Sequence, residues 1–465
     1  MASEDEVSAT AFDAIVVGAG QAGPSLAGRL TGAGMKVALV ERHLVGGTCV
    51  NTGCMPTKTL VASAYAAQLA RRGADYGVNV VGPVTVDIAR ARARATKVTL
   101  DNRAKVTAWL EGMAGLTFLR GQARFEGPAT LRVGEALLTA PRIFLNVGGR
   151  ASVPPLPGVD SAPFLDNSSM LALEELPEHL LVVGGSYIGL EFAQMYRRFG
   201  SQVTVVERQP RLLGREDEEI SGAIREILKA EGITIRTGAE CIRLMEVGGR
   251  PALGLDCADG PPEVAGSHIL LAVGRTPNTA DLGLEVAGVK TDTRGYVEVN
   301  DRLETSVPGI WALGDCNGRG AFTHTAYNDF EIVAANLLDR ADRKVSDRIT
   351  AYALYIDPPL GRVGLSETEA GKTGRPLLVG KRPMTNVGRA VEKGETQGLM
   401  KLVADAETRK ILGAAILGPG GDEAIHGVVD MMNVGATIDQ LAWSVPIHPT
   451  VSELIPTLVN EAKPA

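Results

Sequence analysis

The chain has 465 residues, 45% hydrophobic and 22% charged, with a formal charge of −7 from 47 basic and 54 acidic residues. That length predicts several domains with sizeable cores. Net acidity, the lack of a basic block and an aromatic content of 4% argue against a nucleic-acid partner, and no apolar run approaches the roughly 18 residues a membrane span needs. The opening Met1-Ala2-Ser3-Glu4-Asp5-Glu6 lacks the basic and apolar parts of a secretory signal, so a cytoplasmic location is expected.

The first element is an apolar strand, Ala14-Ile15-Val16-Val17, running into Gly18-Ala19-Gly20-Gln21-Ala22-Gly23. A helix-like stretch follows, then Lys36-Val37-Ala38-Leu39-Val40, which ends on Glu41. With 55 glycines in the chain, such a triplet would arise by chance roughly once, so it counts only in its context of strand, helix, strand and acid. In that context it predicts a dinucleotide-binding βαβ unit. Gly18 and Gly20 permit a tight turn and close approach of a pyrophosphate. Gly23 permits close helix–strand packing, and the helix start offers free N–H groups to the phosphates. Glu41 can accept hydrogen bonds from an adenosine ribose.

Five cysteines follow along the chain: Cys49, Cys54, Cys241, Cys257 and Cys316. An odd, sparse set is not a structural disulfide framework. No Cys/His group has zinc-ligand spacing, so no metal site is expected. Only Cys49 and Cys54 are close in sequence. On a regular helix, i and i+5 lie about 140° apart around the axis and about 7.5 Å along it, too far for an unstrained disulfide. The intervening Val50-Asn51-Thr52-Gly53 are poor helix formers, so a distorted turn is expected there. A strained, accessible disulfide is readily reduced, which suits a redox-active pair.

Residues 86–111 read as a long amphipathic helix and 119–148 as short strands. Val153-Pro154-Pro155-Leu156-Pro157-Gly158 reads as a linker. The opening pattern then returns. Leu180-Leu181-Val182-Val183 runs into Gly184-Gly185-Ser186-Tyr187-Ile188-Gly189, and Gln202-Val203-Thr204-Val205-Val206 ends on Glu207. In both copies the acid stands 18 residues after the last glycine. Ser186 replaces the middle glycine, which makes the second turn less open. Glu207 favours a free ribose 2′-hydroxyl, hence NAD, whereas Arg208 and Arg211 can meet a 2′-phosphate. A further boundary is expected near Gly274-Arg275-Thr276-Pro277-Asn278. Beyond residue 346, strand-like runs such as 398–403 and 411–417 alternate with helical ones, which predicts a mixed α+β domain.

The segment Gly47-Thr48-Cys49-Val50-Asn51-Thr52-Gly53-Cys54-Met55-Pro56-Thr57-Lys58 closely resembles the active-site segment of the class I pyridine nucleotide-disulfide oxidoreductases, which include glutathione reductase, dihydrolipoamide dehydrogenase and mercuric reductase. The resemblance runs on through Tyr187 and Glu191, Gly274 to Asn278, Ile310-Trp311-Ala312-Leu313-Gly314-Asp315, and His448-Pro449-Thr450-Val451-Ser452-Glu453. It implies an α/β fold with two Rossmann-like domains, for FAD and NAD(P), and an α+β dimerisation domain. The implied domains are FAD-binding at 1–150 and 279–345, NAD(P)-binding at 151–278 and an interface domain at 346–465. By the same resemblance, Asp315 holds the ribityl chain of FAD, and Gly47, Thr48, Gly148, Gly274 and Ala326 join the cofactor contacts. Lys58 lies near the flavin and pairs with Glu191, Tyr187 covers the nicotinamide pocket, Cys49 attacks substrate and Cys54 contacts the flavin. The implied assembly is a homodimer in which His448 reaches the other subunit's disulfide, with Glu453 orienting it. A nearby histidine can take a thiol proton and stabilise the thiolate.

Within the family the C-terminal half is most similar to proteins grouped with mercuric reductase, as in Gly388-Arg389-Ala390-Val391-Glu392-Lys393-Gly394-Glu395. Two marks of a mercuric reductase, an extra N-terminal metal-binding domain and a C-terminal vicinal cysteine pair, are not seen, and His448 stands where a tyrosine is usual. The expectation is an NAD(P)H oxidoreductase with FAD that reduces a small disulfide or related thiol or thiol–metal substrate. The resemblance tips the nucleotide slightly towards NADPH over NADH. Rival readings are a mercuric or other soft-metal ion reductase, since thiolates suit soft metals, and a dihydrolipoamide dehydrogenase-type subunit of a larger complex. Cys316 beside Asp315 reads as a small buried hydrophobe, with a further redox or metal contact as the alternative.

Overall fold

A computed structural model describes residues 9–256 and 260–465. The chain divides into two compact units. The first comprises residues 1–59, 92–152 and 274–348, and the second residues 60–91, 153–273 and 349–465.

The first unit is built on a five-stranded parallel sheet. Its strands lie in the order Ile310–Ala312, Ile143–Leu145, Ala14–Val17, Val37–Glu41 and Leu116–Arg120. Its inner strands are apolar on both faces, as a sheet covered on both sides requires. The period of two sends Ala14, Val16, Val37 and Leu39 to one face, where helices Ala22–Gly32 and Thr323–Leu338 bury Leu26, Leu30, Phe330 and Val333. Ile15, Val17, Ala38 and Val40 face the other way, onto Phe125, Leu131 and Leu138 of a smaller sheet. The chain returns at Gly274, and Arg275–Pro277 pairs antiparallel with Gly149–Ala151.

In the second unit a four-stranded parallel sheet has the order Thr234–Arg236, Gln202–Val206, His179–Val183 and His268–Leu271. Leu181, Val183, Val206 and Leu271 pack on Leu244 and Leu253 of a three-stranded antiparallel sheet and on Leu255 just beyond it. A six-stranded antiparallel sheet follows, in the order Ala351–Leu354, Leu360–Gly364, Ile411–Leu417, Leu399–Asp405, Leu377–Pro383 and Lys463–Pro464. Buried charge ties these parts together. Lys401 is 1% exposed and its Nζ reaches Asp217 (2.8 Å), Glu367 (2.6 Å) and Glu219. Burial pushes the Asp217 carboxyl up, but Lys401 and Thr368 outweigh it and hold the group down at about 2. Arg198, also buried, meets Glu231 at 2.6 Å and Asp357 at 2.7 Å. No helix among the described residues is long and apolar enough to cross a membrane.

Candidate active site

In the first unit the strand Ala14–Val17 ends in the turn at Gly18, which has φ +106°. A Cβ there would stand 2.2 Å from the Asn146 carbonyl oxygen, and one at Gly23 would stand 2.1 Å from the Gly18 oxygen. The fold itself therefore demands both glycines. Gly20 is different, because its nearest neighbour to a Cβ is Asn146 Nδ2 at 3.4 Å. The protein would accept a small side chain at Gly20, so its bare backbone serves what lies outside the turn. An 11-residue helix starts at Ala22, with its free N–H groups beside that bare surface. Glu41 is 8% exposed; its Oε2 accepts from Ala19 N and its Oε1 from His43 N, both at 2.8 Å. These residues fit a dinucleotide pyrophosphate and ribose.

The redox segment is tied to this same turn. Gly46 N donates to Ala19 O at 2.8 Å, and a Cβ on Gly47 would meet Gly20 Cα at 2.9 Å. Helix Gly47–Thr52 carries Thr48 and Cys49, the chain breaks at Gly53, and Cys54 opens the 18-residue helix Cys54–Arg71. The poor helix formers expected to distort the i, i+5 spacing do so at Gly53 (φ −136°, ψ −117°). Both cysteines are free and partly buried. Cys54 Sγ lies 3.2 Å from Thr323 Oγ1, at the start of helix Thr323–Leu338. The hydrogen bond from Cys49 is the largest influence on Cys54. With Thr323 and the charge of Lys58 it overcomes burial and brings this thiol down to about 6. The same hydrogen bond, joined by burial, pushes Cys49 up. The hydrogen bond between them and the nearby Lys58 charge thus favour a thiolate at Cys54 over one at Cys49.

Asp315 accepts from Arg275 Nε at 3.1 Å, and Arg275 also donates to the Gly149 carbonyl. Gly148 and Gly274 both have positive φ, and a Cβ on either would meet nothing within 4 Å. Ala326 is buried on helix Thr323–Leu338, 3.2 Å from where a Cβ on Gly314 would stand. Cys316 is fully buried, its Sγ directed at Leu313 O (3.3 Å) and Leu145 O (3.5 Å), and burial pushes its thiol up to about 12. Cys241 is exposed, and Cys257 lies outside the described residues.

The second unit repeats the turn. Gly184 has φ +117°, and Cβ atoms on Gly184 and Gly189 would stand 2.4 Å from Ala272 O and 2.0 Å from Gly184 O. Glu207 Oε2 accepts from Gly185 N at 2.6 Å and Oε1 from Gln209 N at 2.7 Å. Ser186 precedes helix Tyr187–Phe199 without a side-chain bond to it. Arg208 is exposed, and Arg211 donates to Gly214 O at 3.2 Å. Glu191 is 5% exposed and accepts from Tyr355 N at 3.0 Å, a partner the motif did not signal.

At the far end of the same unit, His448 Nδ1 lies 2.8 Å from Glu453 Oε2, with the His448 side chain 81% exposed and Glu453 14%. The carboxylate fixes Nδ1, which leaves Nε2 facing outward. Trp443, Val445 and Ile447, on the run leading to His448, are almost wholly exposed.

Some participants were not evident from the sequence. Thr323 comes to Cys54 across 269 residues. Asn146 clamps the first turn by donating to Gly18 O at 3.1 Å. Asn51 holds the redox segment by donating to Val45 O and Gly47 O at 2.9 Å, and is itself gripped by Arg103. A strand end near the second residue of a glycine turn was the only available signal for Asn146, and Thr323 and Arg103 had none.

Residues 12–329 match the family described as pyridine nucleotide-disulphide oxidoreductase, and residues 350–459 match that family's dimerisation domain. A probable pyridine nucleotide-disulfide oxidoreductase, RclA of Escherichia coli K12, is 35% identical over 460 residues, covering 97% of this chain and 99% of its own. A dihydrolipoyl dehydrogenase of Thermus scotoductus is 35% identical, covering 95% of each chain, and a mercuric reductase of Streptomyces lividans is 34% identical, covering 96% of this chain and 95% of its own. The structure of a Cu(II) complex of the HOCl-induced flavoprotein disulfide reductase RclA from Escherichia coli superposes with a TM-score of 0.87 at 34% identity, over 97% of this chain and 99% of that one. Two glycine turns that fit dinucleotides, a free cysteine pair tied to the first of them, and relatives aligned along nearly their whole length have one common account: the chain belongs to the pyridine nucleotide-disulphide oxidoreductase family and is an NAD(P)H-dependent flavoprotein of the disulfide reductase type.

Proposed function

We propose that the protein reduces a small disulfide through Cys49 and Cys54 as a homodimer in the cytoplasm, where thiols are kept reduced. The observation that carries this reading is the placing of the cysteine pair beside the first glycine turn, with Gly46 N bonded to Ala19 O and Cys54 Sγ 3.2 Å from Thr323 Oγ1; the Cys49 hydrogen bond, Thr323 and Lys58 bring the Cys54 thiol down. The turn at Gly18, Gly20 and Gly23 with Glu41 would hold FAD, which would supply the two-electron link between a nicotinamide and the Cys49–Cys54 disulfide. The chain's residues do the rest. Cys49 gives its proton to a base and attacks one sulfur of the substrate. That forms a mixed disulfide and releases the first thiolate, which takes the proton back. Cys54 then attacks Cys49 Sγ, closes the internal disulfide and releases the second thiolate. The base is assigned to His448 of a second copy, since in its own chain the imidazole is presented to solvent beside exposed Trp443, Val445 and Ile447.

His448→Ala is expected to leave flavin reduction by NAD(P)H intact and to slow disulfide turnover by about 10²–10⁴-fold, the usual scale of an acid–base loss. Stopped-flow flavin spectra and steady-state turnover check the two halves separately. Unchanged turnover would remove His448 from the mechanism.

The two adjacent sulfurs also suit a soft metal, and relatives include a mercuric reductase and a flavoprotein disulfide reductase solved as a Cu(II) complex. NAD(P)H oxidation against a panel of small disulfides, lipoamide among them, and against Hg(II) or Cu(II) with excess thiol decides the substrate class. Metal turnover matching the best disulfide would overturn the preference stated here.

A further inference from the structure

Asp315 lies in a short 3₁₀ helix, Gly314–Asn317, just after the strand Ile310–Ala312. The residue that leads into it, Leu313, has an apolar side chain and cannot cap it. The cap comes instead from the helix Thr323–Leu338. Gly314 N donates to Asp329 Oδ2 at 2.8 Å, and Asn317 Nδ2 donates to the same oxygen at 2.9 Å. Asp329 therefore grips both ends of the turn, with Asp315 between them. Ala326 is three residues earlier on the same face of the helix, 3.2 Å from where a Cβ on Gly314 would stand, so the turn is seated closely on that face. The Asp315 carboxylate takes no part in this grip and accepts from Arg275 Nε at 3.1 Å.

Asp329 is itself held. It is 1% exposed, and its Oδ1 accepts from Arg348 Nη2, while Arg348 Nε donates to Asn328 Oδ1 at 2.8 Å. All of these residues belong to the first unit. Two features make the arrangement more than packing. A buried ion pair is a weak source of stability, and this one is incompletely satisfied, since Arg348 Nη1 is buried with no hydrogen-bond partner among the described residues. The second feature is the division of the carboxylate. One oxygen is fixed by the arginine and the other is aimed at the turn, so the position of the turn is referred to a rigid anchor through charge-assisted bonds.

We propose that Asp329, fixed by Arg348, is a positioning residue for the flavin: it sets the Gly314–Asn317 turn so that the Asp315 carboxylate is presented to the ribityl chain of FAD. The inference rests on the reading of Asp315 as the residue that holds that chain. Asp329 acts through Asp315, so its contribution to FAD binding disappears when the Asp315 carboxylate is removed.

Titration of the flavin-free full-length chain with FAD, followed by flavin fluorescence, gives the dissociation constant without any turnover. Asp329→Asn keeps the shape of the side chain. Whichever way its amide lies, an NH2 group faces a donor, either Arg348 or the pair Gly314 N and Asn317 Nδ2. The variant is expected to raise the FAD dissociation constant by about 10–100-fold. Asp315→Ala should raise it at least as much, and the double variant should match Asp315→Ala within about twofold. A double variant that multiplies the two single effects would overturn the proposal. So would an unmoved dissociation constant in Asp329→Asn, even with a lower thermal midpoint, since Asp329 would then be a packing residue. If Asp329→Asn does not fold, Asn317→Ala decides. It removes one bond from the turn and leaves the Asp329–Arg348 pair whole, and should weaken FAD by about 3–10-fold; an unmoved constant there would also overturn the proposal. Asp315→Ala tests the underlying reading separately. If it leaves FAD affinity unmoved, Asp315 does not hold the flavin and both readings fail. If it weakens FAD while Asp329→Asn does not, only the positioning role fails.

Discussion

The turns at residues 18–23 and 184–189 are two versions of one device, and they differ at the position the fold leaves free. In both, the first and last glycines are demanded by the protein's own backbone, since Cβ atoms there would stand 2.0–2.4 Å from carbonyl oxygens. In both, the acid at the end of the second strand is held by backbone N–H groups at 2.6–2.8 Å. The middle position makes no such demand. It is bare at Gly20 and carries a hydroxyl at Ser186. The first turn also carries more, since Gly46 and Gly47 anchor the redox helices on it, whereas the second turn is braced by Leu213 N donating to Gly185 O at 2.9 Å. The outer glycines therefore report on the fold, and the middle position reports on how closely a ligand approaches.

The largest expected effect separates these two roles. Gly18→Ala forces a residue with a Cβ into φ +106° and against Asn146 O, at a cost of about 3–5 kcal/mol. It should yield little folded protein. Gly20→Ser copies the second turn onto the first. It should leave the thermal midpoint of the apoprotein within about 2 °C while weakening flavin affinity by about 10–100-fold. Calorimetry of the apoprotein and flavin titration measure the two quantities. If Gly20→Ser unfolds the apoprotein as Gly18→Ala does, the distinction between the positions is lost.

The sequence carried these turns because their signal is local. A strand, a glycine triplet and an acid 18 residues on are all within reach of one βαβ unit. The break at Gly53 was legible for the same reason, from four poor helix formers in a row. The partners that tune the chemistry were not. Thr323 reaches Cys54 and Asn146 reaches Gly18 across 269 and 128 residues. No periodicity or spacing encodes such contacts, because they are set when sheets and helices pack. The Glu191–Tyr355 bond, across 164 residues, was missed for that reason even though Glu191 itself was singled out.

A smaller effect tests what the first turn carries and the second does not. With its pKa brought down to about 6, Cys54 is a thiolate above that pH and loses its charge as the pH falls through it, while Cys49 keeps its proton. In the two-electron-reduced enzyme, ultraviolet thiolate absorbance should therefore rise by one equivalent with a midpoint near 6. Lys58→Met removes a nearby positive charge and should move that midpoint up by up to about 1 unit. A midpoint in the ordinary thiol range, near about 8.5, would show that the hydrogen bonds from Cys49 and Thr323 do not hold the thiolate.

The smallest effect concerns the residue after each acid. Arg42 is tied back, its Nη1 2.5 Å from Asp281 Oδ2 and 3.1 Å from Gln122 Oε1. Arg208 is exposed and makes no hydrogen bond or ion pair among the described residues. Both acids are held alike, so a 2′-phosphate beside Glu207 meets a fixed carboxylate that repels it and one untied guanidinium that attracts it. A solvent-exposed pair of this kind is worth little, on the order of 1 kcal/mol. Arg208→Ala should accordingly lower kcat/KM for NADPH by about 3–10-fold and leave that for NADH within about twofold. An equal fall with both nucleotides would mean that Arg208 acts on the turn rather than on the phosphate. The contrast with Arg42 would then lie in packing alone.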